Sequence, residues 1–314
     1  MIWRPAVAVA LVFGFTFGSS RAAHAQQMAD TTFDLSVSRP AHTARRPFLV
    51  IDEAHSNFHK ASGRYSPFAT LMQNDGLRIG TNTSVFSDSA LRGIDILVIA
   101  NAASPGSGEG VRRSGPAFTA AECDAVRDWV RAGGALLLIS DHAPFGGAAE
   151  GLAQRFGVDF GKGYVSDTLH SLSASEKTVL VFEKERLGSH PIVRGRNSSE
   201  RIQRVVAFTG QSMSIPTGGA ALLRLSAFAM ETPRPPEVDT SRSVSAAGRA
   251  QAVAMPFGRG RVVMLGEAAM MTAQVAGGAV GRDGLPFTMG MNRPGSDDKQ
   301  FALNVVRWLS RALR

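Results

Sequence analysis

Side chains able to bind a metal ion or move a proton follow several apolar runs of this sequence, at the point where each run ends. They are carboxylates, imidazoles and amides: Asp52, Glu53, His55, Asn57, Asn101, Asp141, His142 and Glu267. Neutral imidazoles and carboxylates can hold a divalent metal ion, which lowers the pKa of a bound water and makes it a nucleophile. A histidine oriented by a neighbouring carboxylate can instead act as a general base without a metal ion.

The residues divide into three predicted roles. We expect the catalytic groups to be Asp141, His142 and Glu267. A divalent metal ion, if one is bound, would take as ligands Asp52, His55, Asp141 and His142. A bound organic ligand would contact Asp52, Glu53, His55, Asn57, Arg64, Tyr65 and Asn101. The competing interpretation is structural, because aspartates often cap helices and histidines often satisfy backbone carbonyls.

These side chains need a scaffold that brings separate strand ends together. Continuous apolar runs bounded by polar residues are typical of strands buried on both faces, and they occupy residues 48–51, 94–100, 135–139 and 261–265. Residues 77–85 can form a further strand. Helical patterns lie between them, one of which begins with a capping box of Thr119 and Glu122. The alternation predicts an α/β fold with a doubly wound, mostly parallel sheet and helices on both faces. Ligands bind outside the carboxyl ends of the strands in such sheets.

The pattern is less regular beyond about residue 158. Short strands are predicted at residues 178–182, 202–208, 220–225 and 252–255, and a hairpin turn at residues 258–260. A mobile loop is expected at residues 233–248, and a Gly/Pro-rich stretch at 277–295 precedes a last helix that starts near Asp297. Because no repeat and no clear boundary occur, residues 47–314 are predicted to form one domain after a flexible leader at residues 26–46.

The first 25 residues have the pattern of a secretory signal peptide. Arg4 precedes an apolar run at residues 6–17, and Ala23-His24-Ala25 matches a cleavage site. A run of this length is too short to span a bilayer, which takes about 20 residues as a helix. We therefore expect an exported protein, periplasmic or extracellular, with no stable membrane anchor after cleavage. An uncleaved signal peptide that stays as a short anchor is the alternative.

Composition excludes several classes of protein. The chain has 314 residues, of which 44% are hydrophobic and 19% charged, so it can bury a sizeable core. The single cysteine, Cys123, excludes an intrachain disulfide and cysteine-based metal sites, and its place on a helical apolar stripe predicts a packing role. The net charge is +8, but the basic residues are scattered, so no nucleic-acid partner is expected. A small molecule, a glycan or an envelope protein is the expected partner.

Several segments resemble a known protein family. The segments are IDEAHSNFH, GRYSPFATLMQNDG, SDHAPFGGAAEGLAQRFGV and GRGRVVMLGEAAMMTAQ. They resemble exported bacterial proteins with a type-1 glutamine-amidotransferase-like domain, whose relatives occur in gliding-motility transporter accessory proteins and intraflagellar transport subunits. The resemblance covers roughly residues 47–270 and the last helix. It implies a flavodoxin-like sheet with helices on both faces.

The same resemblance argues against glutaminase activity. Glutamine amidotransferases carry a cysteine on a tight turn after a central strand, backed by a histidine and a glutamate. The corresponding turn here reads Ser140-Asp141-His142, with neither the cysteine nor the flanking glycines of such a turn. Relatives with this loss are thought to be binding or scaffold modules, often near carbohydrates. The first hypothesis is therefore a cleft that binds a carbohydrate, a peptide or a partner. The alternative is a metal-assisted hydrolase of an envelope or extracellular substrate.

Overall fold

Five apolar segments of the sequence form the parallel centre of a seven-stranded mixed sheet. The computed structural model describes residues 27–108, 111, 113–280, 284 and 286–314, with the backbone alone for residues 278–280. Its strands are β1 (Gln27–Ala29), β2 (Phe48–Asp52), β3 (Arg78–Asn82), β4 (Ile96–Ala100), β5 (Ala135–Ile139), β6 (Tyr164–Asp167), β7 (Val179–Glu183), β8 (Arg204–Phe208), β9 (Ala220–Arg224), β10 (Ala229–Thr232), β11 (Val244–Ser245), β12 (Ala250–Phe257), β13 (Gly260–Leu265), β14 (Ala273–Val280) and β15 (Pro286–Gly290). Its α-helices are α1 (Ser66–Asn74), α2 (Ala120–Arg131), α3 (Phe145–Gln154), α4 (Pro191–Arg194) and α5 (Asp298–Leu309).

The strand order of the large sheet is β3-β2-β4-β5-β13-β12-β9. The first five of these strands are parallel, whereas β12 runs antiparallel to both of its neighbours. Ala100 pairs with Ile139, and Ile139 pairs with Leu265, so three strands end at the same level. The residues that follow these strands are therefore brought to one edge of the sheet, as the alternation of apolar and helical segments predicts.

Helices cover both faces of this sheet. Alternate residues of each central strand point to opposite faces, and both sets are apolar. On one face the strands pack against α1 and α5, through side chains such as Phe68 and Phe301. On the other face they pack against α2 and α3, where Cys123 is buried as expected for a packing residue. An α/β fold with a mostly parallel sheet is thus confirmed.

Helix α2 shows how the local sequence sets an element boundary. The Thr119 hydroxyl accepts the backbone N–H of Glu122, and the Glu122 carboxylate accepts the backbone N–H of Thr119, so the expected capping box is formed. This exchange fixes the Glu122 side chain at the start of the helix. The position matters for the site described below, because Glu122 also faces the loop after β2.

Three smaller sheets accompany the large sheet. They are β1-β14-β15, β11-β10-β6 and the pair β7-β8. The Gly/Pro-rich stretch 277–295 contains most of a hairpin, and the loop 233–248 contains the short strand β11. The pair β7-β8 matches the strands predicted at residues 178–182 and 202–208. The strands of the other two sheets were not predicted, because they are short or rich in glycine and polar residues and carry little apolar periodicity.

The segment expected to be a flexible leader contacts the rest of the protein. Residues 27–29 form β1, which pairs with β14, and Phe33, Leu35 and Val37 pack against the core cluster of α1 and α5. The predicted signal peptide at residues 1–25 lies outside the described residues. No helix among those that the structure describes is both long and apolar enough to cross a membrane.

Candidate functional site

The loop after β2 places His55 between two carboxylates. The Nδ1 atom of His55 lies 2.8 Å from Asp52 Oδ2, and its Nε2 atom lies 2.8 Å from Glu122 Oε1. The imidazole is 7% exposed and lies between the rings of Phe86 and Phe118, at centroid distances of 4.5 and 4.8 Å. Both ring nitrogens therefore have a carboxylate partner, and the group forms a buried ion network.

The charges of this network favour a protonated histidine. Burial by itself lowers the pKa of His55, but the hydrogen bonds and negative charges of Asp52 and Glu122 outweigh it and raise the pKa above 6.5. Burial also opposes ionisation of Glu122, yet the Thr119 amide and the His55 ring hold the pKa of Glu122 below its ordinary 4.5. Neither nitrogen of a doubly paired imidazolium has a lone pair to offer. His55 is thus neither a metal ligand nor a free ligand-binding group in this structure.

A second group of acids lies at the ends of β5 and β13. Both oxygens of the Glu267 carboxylate accept backbone N–H groups, from Ala269 at 2.6 Å and from Met270 at 2.8 Å. Burial, followed by the negative charge of Asp141, raises the pKa of Glu267 well above its ordinary range. Burial is also the main reason why the pKa of Tyr65 is raised, and the negative charges of Glu267 and Asp141 add to the effect. The Tyr65 hydroxyl donates to the Ala268 carbonyl at 2.8 Å. The structure therefore brings Asp141, Glu267 and Tyr65 together.

His142 is close to Asp141 but is held by other contacts. Its ring stacks on Tyr164 at a centroid distance of 4.4 Å, and its Nδ1 atom lies 2.9 Å from the Ala143 carbonyl oxygen. Its Nε2 atom lies 3.9 Å from Asp141 Oδ1, which is an ion-pair distance if the ring is protonated. The three residues predicted to be catalytic are thus neighbours, but none of them lies on the wall of the cleft described below.

Asn101 connects the two groups. It has a φ of +50°, in the left-handed region that asparagine adopts more readily than most residues. Its Oδ1 atom accepts the backbone N–H of Asp141 at 2.9 Å, and its Nδ2 atom lies 3.2 Å from His59 Nδ1. The side chain predicted to contact a ligand therefore holds the loops after β2 and β5 against each other.

The predicted metal ligands do not form a metal site. Within the described ranges, no three His, Cys, Asp or Glu side chains are grouped so that they could hold a metal ion. The physical reason is that Asp52 and Asp141 follow β2 and β5, which are separated by β4. In addition, both ring nitrogens of His55 already contact carboxylates. The donor set thus does not fit the divalent metal that the sequence suggested.

A cleft of about 320 Å³ lies over the ends of the central strands. Its walls come from the loop after β2, the loop after β4 and the start of α3: Ser56, Asn57, Phe58, Lys60, Gly63, Arg64, Ala103, Ser107, Gly108, Val111, Pro144 and Phe145. The charged side chains among the described lining residues are cationic. Of the seven residues predicted to contact a ligand, Asn57 and Arg64 line this cleft.

The two cations of the cleft are held differently. The Arg64 guanidinium lies 4.1 Å from the centroid of the Phe58 ring, and its Nε atom donates to the Gln27 carbonyl at 2.9 Å. The β1 segment therefore helps to position Arg64. Lys60 is exposed and has no ion-pair partner in the part of the chain that the structure describes. Its charge is available to an anion that enters the cleft.

Asn57 has an unused donor at this cleft. The side chain is 4% exposed, and its Oδ1 atom accepts the backbone N–H of His55 at 2.9 Å. This contact determines which end of the amide is the oxygen. The Nδ2 atom is buried and has no hydrogen-bond partner among the described residues. A buried donor without an acceptor costs about 1–3 kcal/mol, and such unsatisfied groups call for a functional explanation.

The remaining predicted ligand contacts have structural roles. Glu53 accepts the backbone N–H of Ala61 at 2.9 Å, and Asp52 accepts from the side chain of Asn82 at 2.9 Å. Tyr65 is fully buried. These side chains shape the loop after β2 rather than line the cleft.

The sequence analysis did not single out Lys60, Glu122 as a site residue, or His59, whose side chain is 2% exposed. The available signal was the density of polar residues from Asp52 to Arg64. Nine residues of this stretch have polar or charged side chains, which is typical of a loop that serves a shared site. The partners of each side chain, however, depend on which strand ends become neighbours. Glu122 was recognised as a helix cap alone, because nothing in its local sequence points to His55.

Solved structures with a related fold were found by comparison. The mmIFT52 N-terminal domain matches with a TM-score of 0.56 and 15% identity, over 83% of this chain and 97% of that domain. ThuA-like proteins from Bacteroides uniformis and Parabacteroides merdae match at 12% identity, with TM-scores of 0.41 and 0.42. They cover 89% and 84% of this chain, and 95% and 90% of their own. No protein-family model and no curated protein matches the chain. At such identities, the likeness to the mmIFT52 domain concerns the fold alone.

Proposed function

We propose that this chain is an exported binding module that holds a small carboxylated saccharide in the cleft over the ends of β2, β4 and β5. The observation that carries the proposal is that Asn57, which lines the cleft, has a buried Nδ2 donor with no partner among the described residues. An acceptor oxygen of a bound ligand would remove the cost of that buried donor. Saccharides are rich in such oxygens, which supports a sugar rather than an apolar ligand.

Charge and size support an acidic ligand of few sugar units. Among the described lining residues the charged side chains are Lys60 and Arg64, and the unpaired charge of Lys60 favours a carboxylate. The volume of about 320 Å³ is at the small end of the range for ligand sites. Phe58 and Phe145 add apolar side chains to the lining, which the C–H groups of a sugar can contact.

We also propose that the parallel part of the sheet is flavodoxin-like, of the type found in amidotransferase-like domains. The five parallel strands, numbered by their own order in the chain, follow the spatial order 2-1-3-4-5, which is the flavodoxin order. The direction of winding changes between β2 and β4. The cleft lies at this change, where ligands bind in open α/β sheets.

The hydrolase alternative has weaker support. A metal-assisted mechanism lacks a fitting set of ligands among the described residues. The acid pair of Asp141 and Glu267 would be needed for chemistry without a metal ion, yet Glu267 is 1% exposed and both of its oxygens are used by backbone N–H groups. Because the acids do not line the cleft, a ligand held there would not be next to them.

We expect D-glucuronate to bind the full chain and its neutral methyl ester to bind at least fivefold more weakly, because the ester lacks the charge that Lys60 and Arg64 attract. Asn57→Asp keeps the acceptor for the His55 amide but replaces the free donor by a negative charge. This variant should weaken glucuronate binding about 10-fold or more. Lys60→Gln should weaken it about 3-fold, as expected for an exposed cation. Isothermal titration calorimetry measures all four affinities.

Lys177→Gln is the matched control, since Lys177 is also exposed but lies outside the cleft. It should bind glucuronate like the wild type. Equal affinity for glucuronate and its methyl ester, or unchanged binding by Asn57→Asp with an intact far-UV spectrum, would rule out the proposed cleft function.

A further inference from the structure

A second groove, of about 700 Å³, lies beside the edge strand β9 and shares no residue with the cleft. Its cationic residues are Lys184, Arg194 and Arg201, and its apolar floor is Leu187, Val193 and Ile202. The backbone N–H of Gly188 donates to the Leu222 carbonyl of β9 at 2.9 Å, which anchors one wall to the sheet. A Cβ at Gly188 would lie 1.8 Å from the Ala221 carbonyl oxygen, so this close approach requires glycine.

The three cations of the groove are exposed and lack ion-pair partners in the described part of the chain. No acidic side chain is among the lining residues. Two neighbouring carboxylates have other cationic partners: Glu183 pairs with Arg204 at 2.7 Å, and Glu200 pairs with Arg196 at 2.5 Å. Asp297 accepts the backbone N–H groups of Gln203 and Arg204, and Glu185, which directly follows Lys184, is exposed. None of these carboxylates forms an ion pair with the three cations among the described residues, whereas Arg127 and Arg131 of α2 are both paired.

The positive charge at the groove also affects the pKa of a neighbouring histidine. His190 follows the lining residue Ser189 and packs its ring on Trp308 at a centroid distance of 5.0 Å. Burial, and then the charges of Arg194 and Arg261, lower the pKa of His190 to about 4. The ring is thus neutral at pH 7 and neither adds to the positive charge nor offsets it.

We propose that this groove binds the phosphate group of a soluble phosphorylated molecule of about the size of a sugar phosphate. Two guanidinium groups can each present a planar pair of N–H donors, a geometry that matches phosphate oxygens. A phosphate monoester has three free acceptor oxygens, so it can accept hydrogen bonds from more than one of these cations. The apolar floor then contacts the carbon skeleton that carries the phosphate.

The shape and lining of the groove favour this class of ligand over larger partners. A membrane surface would need protruding apolar side chains, whereas Val193 and Ile202 are buried in a concave floor. A single-stranded nucleic acid would need aromatic rings for base stacking, and none lines the groove. A phospholipid headgroup shares the phosphate chemistry and is separated from a soluble ester by the experiment.

The test uses glucose 6-phosphate, glucose and phosphatidylglycerol vesicles with the full chain at low ionic strength. We expect glucose 6-phosphate to bind and glucose not to bind. The double variant Arg194→Gln/Arg201→Gln should lower the affinity for glucose 6-phosphate about 10-fold, since two exposed cations are removed. Raising the salt concentration should weaken wild-type binding. The double variant Arg92→Gln/Arg242→Gln removes the same charge from exposed positions elsewhere and should bind like the wild type.

Three results would overturn the proposal. The first is no binding of glucose 6-phosphate by the wild type. The second is an equal loss in both double variants, which would indicate attraction by net charge alone. The third is vesicle binding that depends on Arg194 and Arg201 without any binding of glucose 6-phosphate, which would identify a lipid headgroup site. Cleft variants separate the two proposals, because Asn57→Asp should leave glucose 6-phosphate binding unchanged.

Discussion

Arg307→Met should lower the free energy of unfolding by about 3–5 kcal/mol, the cost of removing one partner from a buried ion network. Arg307 is 1% exposed, and its guanidinium donates to both oxygens of Asp75, at 2.7 and 3.0 Å, and to Glu200 at 3.1 Å. Methionine keeps much of the volume but leaves both carboxylates without this charge. Urea denaturation at pH 7 measures the loss.

The network also joins distant parts of the chain, which explains the expected size of the effect. Asp75 follows α1, Glu200 precedes β8, and the Arg307 Nη2 atom donates to the Arg39 carbonyl at 3.2 Å. His42 contacts Asp75 as well, with its Nδ1 atom 3.1 Å from the Asp75 carbonyl oxygen. Loss of the guanidinium should therefore loosen the segment that contains Arg39 and His42, which limited proteolysis can detect.

Arg314→Met serves as the control because Arg314 is exposed at the end of the same C-terminal region. Its expected effect is within about 0.5 kcal/mol of zero. If Arg307→Met costs less than 1 kcal/mol, the charges of Asp75 and Glu200 are compensated without Arg307, and the network does not act as a unit.

His55→Phe should cost about 3 kcal/mol near pH 6, and the cost should decrease as the pH rises. Phenylalanine keeps a ring between Phe86 and Phe118 but cannot hydrogen bond to Asp52 or Glu122. The folded-state pKa of His55 is raised above 6.5. Its contribution to stability is therefore fully present below pH 6.5 and is lost as the pH rises through the folded-state pKa.

The measurement is the free energy of unfolding of the wild type and the variant at several values between pH 6 and pH 9. His170→Phe is the matched control, because the His170 ring makes no hydrogen bond within the described residues and lies 6.5 Å from the ring of Phe228. It should cost little at any of these values. A cost of His55→Phe that grows with pH would mean that the imidazole is neutral in the folded protein.

The sequence by itself determined the central strands, the capping box of α2 and the edge at which polar side chains meet. Apolar runs such as residues 135–139 match their strands because burial on both faces demands uninterrupted apolar residues. Thr119 and Glu122 cap α2 through contacts three residues apart, which a local pattern can specify. Asp141 and Glu267 are likewise neighbours because they follow adjacent strands.

Only the tertiary structure decided what these side chains do. His55 is paired on both sides because α2 brings Glu122 to the loop after β2, across 67 positions of the chain. That contact occupies the imidazole that residue types alone suggested as a metal ligand. The unused Nδ2 donor of Asn57, a residue that lines the cleft, is likewise a feature of the folded chain. The distinction is physical: periodicity and capping depend on neighbours within a few residues, whereas the state of a buried charge depends on every group that packing brings within hydrogen-bond distance.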